Sequence, residues 1–127
     1  MQLPKIGLVI CNSGASNTGY LTGLAALKII NEFDNEVGIC SLPALANRVP
    51  KQTTLVKSLE HLIVVDGCRN ECAKKILDSL GIKYNAYLNL EHDLGIKKLG
   101  PFTTLEYFET DVNKIFSAMA ERIKEMV

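Results

Sequence analysis

The chain has no tryptophan, only two histidines and only four prolines in its 127 residues. None of its apolar runs approaches the roughly 20 residues that a membrane-spanning helix needs, so a membrane protein is not expected. Neither sign of charge is in excess: 14 Lys and Arg balance 14 Asp and Glu, for a formal net charge of zero. That balance argues against a nucleic-acid binder working through a basic face. No Ser-His-Asp order, phosphate-binding Walker sequence or H-E-x-x-H pattern is present. Internal repeats, linkers and low-complexity segments are also missing. Met1-Gln-Leu-Pro-Lys5 leads straight into an apolar run, so no signal peptide is expected and the cytoplasm is the default location. Thiols stay reduced there, which favours metal binding or catalysis over structural disulfides for clustered cysteines.

What is present suits one domain spanning residues 1–127. The chain is 47% hydrophobic and 22% charged, enough to bury a core without staples. Lys5–Ile10 is a short β-branched run and reads as a strand. A polar, glycine-bearing loop follows at 12–19, then a mostly apolar helix from Tyr20 to about Phe33. Glu36–Cys40 reads as the second strand. Pro43 and Pro50 break the segment 41–50, which reads as loop with one helical turn at most. Gln52–Leu59 is a short helix, His61–Asp66 a central strand, and Arg69–Leu80 a helix closed by Gly81. Lys83–Leu90 is the fourth strand, Glu91–Thr104 a long loop, and a last helix runs from about Thr110 with Val112, Ile115, Phe116, Met119 and Ile123 at helical spacing. This alternation predicts an α/β, doubly wound, three-layer fold with a four-stranded parallel sheet in the order 2-1-3-4. The switch point then falls between strands one and three.

The four cysteines are Cys11, Cys40, Cys68 and Cys72. Three of them follow apolar runs, Ile6–Ile10, Val37–Ile39 and Leu62–Val65, and the fourth lies one helical turn past the third. A parallel sheet delivers all its strand ends to one edge, where such folds bind ligands. Four thiols at that edge point to a metal site, with tetrahedral zinc the best match. In Asp66-Gly-Cys-Arg-Asn-Glu-Cys72, an N-cap at Cys68 would set both sulfurs at one side of a helix start, in the positive end of its dipole. Glu71 would then stand as the capping-box acid and Gly67 would allow a tight turn. Asp66 would orient this loop by accepting backbone N–H bonds. Against this stands the tendency of free cysteines to be buried as small hydrophobes, strongest for Cys40.

Residues 12–19 form a strand-to-helix loop of small polar residues that could cradle a small anion. Its ordinary explanation is a helix cap built from Ser16, Asn17 and Thr18. Low-molecular-weight phosphatases need an arginine a few residues after the cysteine, and this loop has none. The loop is closer to the IIB components of the sugar phosphotransferase system, whose phosphocysteine would correspond to Cys11 as nucleophile. His61 is expected at the wrong end of the sheet. His92 follows the fourth strand at the correct end and is a candidate ligand or acid/base, although a solvated loop histidine is the simpler reading. Lys97 and Lys98 would ordinarily be solvated, or would attract an anion near the site.

Taken together, Val65-Asp-Gly-Cys-Arg-Asn-Glu-Cys-Ala-Lys-Lys75, Asp93-Leu-Gly-Ile-Lys-Lys98 and the Cys11–Gly19 loop resemble the DGC-domain family. The resemblance covers nearly the whole chain. It implies zinc held through four cysteines, at Cys11, Cys40, Cys68 and Cys72, and implies no established reaction. Arg69 stands where the family often carries proline, a residue suited to the first helical position. Two functions stay open: a zinc-binding protein acting in metal handling or sensing, and a thiol enzyme, redox or phosphocysteine-based, centred on Cys11.

Overall fold

A computed structural model describes residues 3–100, 102 and 106–127. Pro101, Thr103 and Thr104, assigned above to a long loop, lie outside the described residues. The order of elements is β1 (Ile6–Ile10), α1 (Asn17–Phe33), a 3₁₀ turn (Asp34–Glu36), β2 (Val37–Ile39), α2 (Leu42–Ala46), α3 (Pro50–Ser58), β3 (His61–Asp66), α4 (Cys72–Leu80), β4 (Ala86–Asn89), α5 (Leu90–Leu94) and α6 (Glu109–Met126). All strand pairs are parallel and the sheet order is β2-β1-β3-β4. The fold is therefore the expected doubly wound one.

The period of two along the strands sorts the core into two layers. Ile6, Leu8, Ile10, Ile63 and Val65 face α1 and α6, where Leu21, Ala25, Ile29, Ile115 and Met119 meet them. Val9, Leu62 and Val64 face the other way, onto Leu45 of α2, Val56 of α3 and Ala73 and Leu77 of α4. β1 is buried along its whole length, as a central strand covered on both faces must be. Among the described residues no helix is long and apolar enough to cross a membrane.

Several boundaries differ from the expectation. β4 is Ala86–Asn89 rather than Lys83–Leu90, and α3 runs Pro50–Ser58 rather than Gln52–Leu59, with Pro50 opening the helix. α1 begins at Asn17 rather than Tyr20, because the Ser16 side chain accepts the Gly19 N–H and starts the helix earlier. β2 is three residues long and its first expected residue, Glu36, belongs to the preceding 3₁₀ turn. Part of the expected long loop is helix: Asn89 caps α5 by accepting the His92 N–H, Asp93 accepts the Asn89 N–H in return, and Gly95 ends the helix in the left-handed conformation at φ 67°. Finally, α4 starts at Cys72, not at Arg69, with Glu71 left-handed at φ 56°.

Candidate functional site

The displaced start of α4 follows from Asp66. This carboxylate is 1% exposed at the end of β3. One oxygen accepts the Ala73 N–H at 2.8 Å; the other accepts the Lys74 N–H at 3.0 Å and the Tyr87 hydroxyl at 3.0 Å. The free N–H groups of a helix start are thus satisfied from the strand. No cap is needed from Cys68, and Glu71 makes no side-chain capping bond. Residues 67–71 become a turn closed by the Glu71 N–H on the Cys68 carbonyl. Arg69 lies in this turn, so the site for a first-position proline is not a helical one here. Asp66 does orient backbone N–H groups, as expected, and both its oxygens are engaged in doing so.

β4 completes the network. Register pairs Asp66 with Asn89. Asn89, 2% exposed, donates its amide to the Cys68 carbonyl at 2.8 Å and to the Tyr87 hydroxyl at 3.0 Å. Burial first, and then the Asp66 charge, drive the Tyr87 pKa far up, so Tyr87 stays a neutral donor. Neither Tyr87 nor Asn89 stood out in the sequence. The signal was their spacing of two on a strand adjacent to Asp66.

Gly67 is needed for close approach, not for a left-handed turn. A Cβ there would lie 2.7 Å from the Gly19 nitrogen and 2.8 Å from the Thr18 carbonyl oxygen. The β3–α4 turn therefore rests directly on the first turn of α1, and the Cys11 loop and the Cys68 turn share one wall.

The thiols leave the sheet at different heights. Leu8 pairs with Ile39 across β1–β2, and Ile10 with Val65 across β1–β3. One further step sets Cys40 level with Val9, and Cys11 level with Asp66. Cys40 is thus two residues, roughly 7 Å, below Cys11 along the sheet. Its sulfur folds back further: a Cβ on Gly7 would lie 2.9 Å from it, beside Leu59 and Leu62. Burial alone pushes the Cys40 thiol up to about 11. Cys11 has different surroundings. Burial raises its pKa, the Ser13 and Gly67 N–H groups oppose the rise, and the charges of Asp66 and Cys72 add to it. Cys72 is exposed, Cys11, Cys40 and Cys68 are partly so, and all four cysteines are free.

The structure therefore brings Cys11, Cys72 and Asp66 into one electrostatic neighbourhood, with Cys68 on the adjoining turn, and leaves the Cys40 sulfur on the α2–α3 side. Among the described residues no three of His, Cys, Asp and Glu are grouped to hold a metal ion. The donor chemistry suits a soft cation; among the described residues neither a three-donor nor the four-thiol geometry is assembled in this arrangement.

The loop polar groups turn inward. Ser16, Asn17 and Thr18 are buried; Ser16 caps α1 and bonds Thr18, while Asn17 bonds the backbone of Lys97 and Leu99. His92 is exposed at the correct edge and pairs through Nδ1 with Asp93 at 2.8 Å. A polar cleft of about 470 Å³ separates it from α4, with Arg69, Lys74 and Tyr87 among its walls. His61 opens β3 at the opposite edge.

The family model of the DGC domain matches residues 8–119, most of the chain and all four cysteines. The chain belongs to the DGC-domain family. The Asp66-Gly67-Cys68 tripeptide of this domain has a division of labour: aspartate anchors α4, glycine admits α1, and cysteine presents the thiol. No curated protein and no solved structure gave a match.

Proposed function

We propose that this DGC domain is a zinc-binding protein whose thiol site lies at the carboxyl edge of the sheet, with Cys11, Cys68 and Cys72 as principal donors. The observation that carries the reading is the field at Cys11. Cys11 leaves β1 level with the buried Asp66 carboxylate, and the Cys68 turn packs on the first turn of α1; a divalent cation would offset the carboxylate charge beside these thiols. Bound zinc would supply a cross-link between the end of β1 and the β3–α4 turn, and a Lewis acid if one position stays open. A cytoplasmic setting would keep these thiols reduced, and metal handling or sensing is the role we assign. Cys40 becomes a fourth donor only if its sulfur leaves its place over Gly7.

Zinc content decides it. The full chain, reduced and dialysed against trace zinc, is expected to retain about one zinc per chain. Cys11→Ser, Cys68→Ser and Cys72→Ser should each lose it, and Cys40→Ser should keep it. A metal-free wild-type protein under these conditions would end the proposal. Equal loss in Cys40→Ser would replace it with the closed four-thiol site.

A second reading, a thiol enzyme, is favoured by one feature: the Ser13 and Gly67 N–H groups lower the Cys11 pKa against the rise that burial imposes. Such donors suit a nucleophile that takes up a phosphoryl group or exchanges with a disulfide, with the 12–19 loop as its anion site. It predicts that Cys11→Ser retains zinc.

A further inference from the structure

Lys98 is held against Cys68 by a device remote in sequence. Its ammonium donates to the Cys68 sulfur at 3.4 Å. The backbone on either side of it is gripped by a single side chain. Asn17 donates its amide to the Lys97 carbonyl at 2.9 Å, and the Asn17 carbonyl accepts the Leu99 N–H at 2.6 Å. Asn17 is 5% exposed in the first turn of α1, and Ile96, 5% exposed in the core, fixes the same segment from the other side. Lys97 points to solvent while Lys98 is half-buried. A surface lysine ordinarily loses several rotamers' worth of entropy to hold one contact. Here the backbone is already fixed, so only the side-chain part of the ordering cost remains.

We propose that Lys98, clamped by Asn17, is a built-in positive charge beside the Cys68 sulfur, and that it makes Cys68 selective for anionic partners. The inference rests on the thiol-site reading but does not require zinc. Asn17 is a positioning residue in it, and Lys98 sets specificity.

The test measures alkylation of Cys68 in the full chain, reduced and treated with chelator, by site-resolved mass spectrometry. Iodoacetate and iodoacetamide are compared, because their ratio cancels the thiol's own reactivity and reads only the charge beside it. Lys98→Met should lower the iodoacetate-to-iodoacetamide ratio at Cys68 by about fivefold, the effect of one nearby charge in a largely hydrated site. Lys98→Arg should preserve the ratio. Salt at about 1 M should erase the difference between wild type and Lys98→Met. Asn17→Ala should lower the ratio by about twofold by freeing the lysine. Lys98→Met removes no backbone hydrogen bond, so it decides the matter even where the Asn17 variant folds poorly. An unchanged ratio in Lys98→Met would overturn the proposal. A lowered ratio in a protein that binds no zinc would leave it standing while removing the zinc reading.

Discussion

Asp66 and Gly67 carry the architecture on which Cys68 depends. Asp66→Ala would strip two helix N–H groups and the half-buried Tyr87 hydroxyl of their acceptor. Removing a buried charged acceptor of this kind costs on the order of 3 kcal/mol. Urea unfolding should show that loss, and a change below about 1 kcal/mol would mean that water replaces the carboxylate. Gly67→Ala acts sterically. Its new methyl would strike the backbone of Thr18 and Gly19, which cannot yield as a side chain would. We expect a cost of about 2 kcal/mol and a weakened contact between the two cysteine-bearing loops. A melting curve coincident with wild type would show that α1 shifts freely. The sequence singled out Asp66 as a backbone acceptor because an acid ending an apolar strand needs donors. It misjudged Gly67, since a close approach between loops distant in sequence leaves no local trace.

At the scale of elements, α5 shows how a cap can be read too lightly. Asn89 and Gly95 are ordinary start and stop signals, yet five residues between them fall below the length at which helical periodicity shows. The helix matters because it directs Ile96 into the core and so launches the segment that carries Lys98. Burial pushes the Asp93 carboxyl up, but its bonds to His92 and to the Asn89 N–H prevail and leave its pKa lowered. A carboxyl so shifted stabilises the fold above its unfolded pKa, and that contribution is lost as pH falls through the folded value. Asp93→Asn should therefore melt below wild type at about pH 6, with the gap closing towards about pH 3. A gap that persists at the lower pH would assign the effect to packing. β2 teaches the complementary lesson. The sequence places Cys40 at the end of an apolar run, but nothing in Val37–Ile39 says where pairing with β1 stops. That register, invisible locally, is what separates Cys40 from the other thiols.

Across the whole molecule, the parallel order carries Cys11 and Cys68 out of neighbouring strands at the switch point, as the βα alternation required. Topology alone could not settle whether four sulfurs meet, because it fixes the edge and not the height on it. The difference has a global readout. A three-thiol site ties the end of β1 to the β3–α4 turn and leaves β2 outside the cross-link. Zinc at about 100 times its dissociation constant would then add roughly 2.7 kcal/mol to stability, unevenly distributed. Hydrogen exchange with and without zinc should show protection concentrated at residues 11–19 and 67–74, with little change at 37–42. The reason is that local opening of β2 breaks no metal bond in this scheme, so its exchange is decoupled from the metal. Strong zinc-dependent protection of 37–42 would instead require Cys40 to swing from the α2–α3 side into the site, and would transfer the domain to the closed four-thiol class.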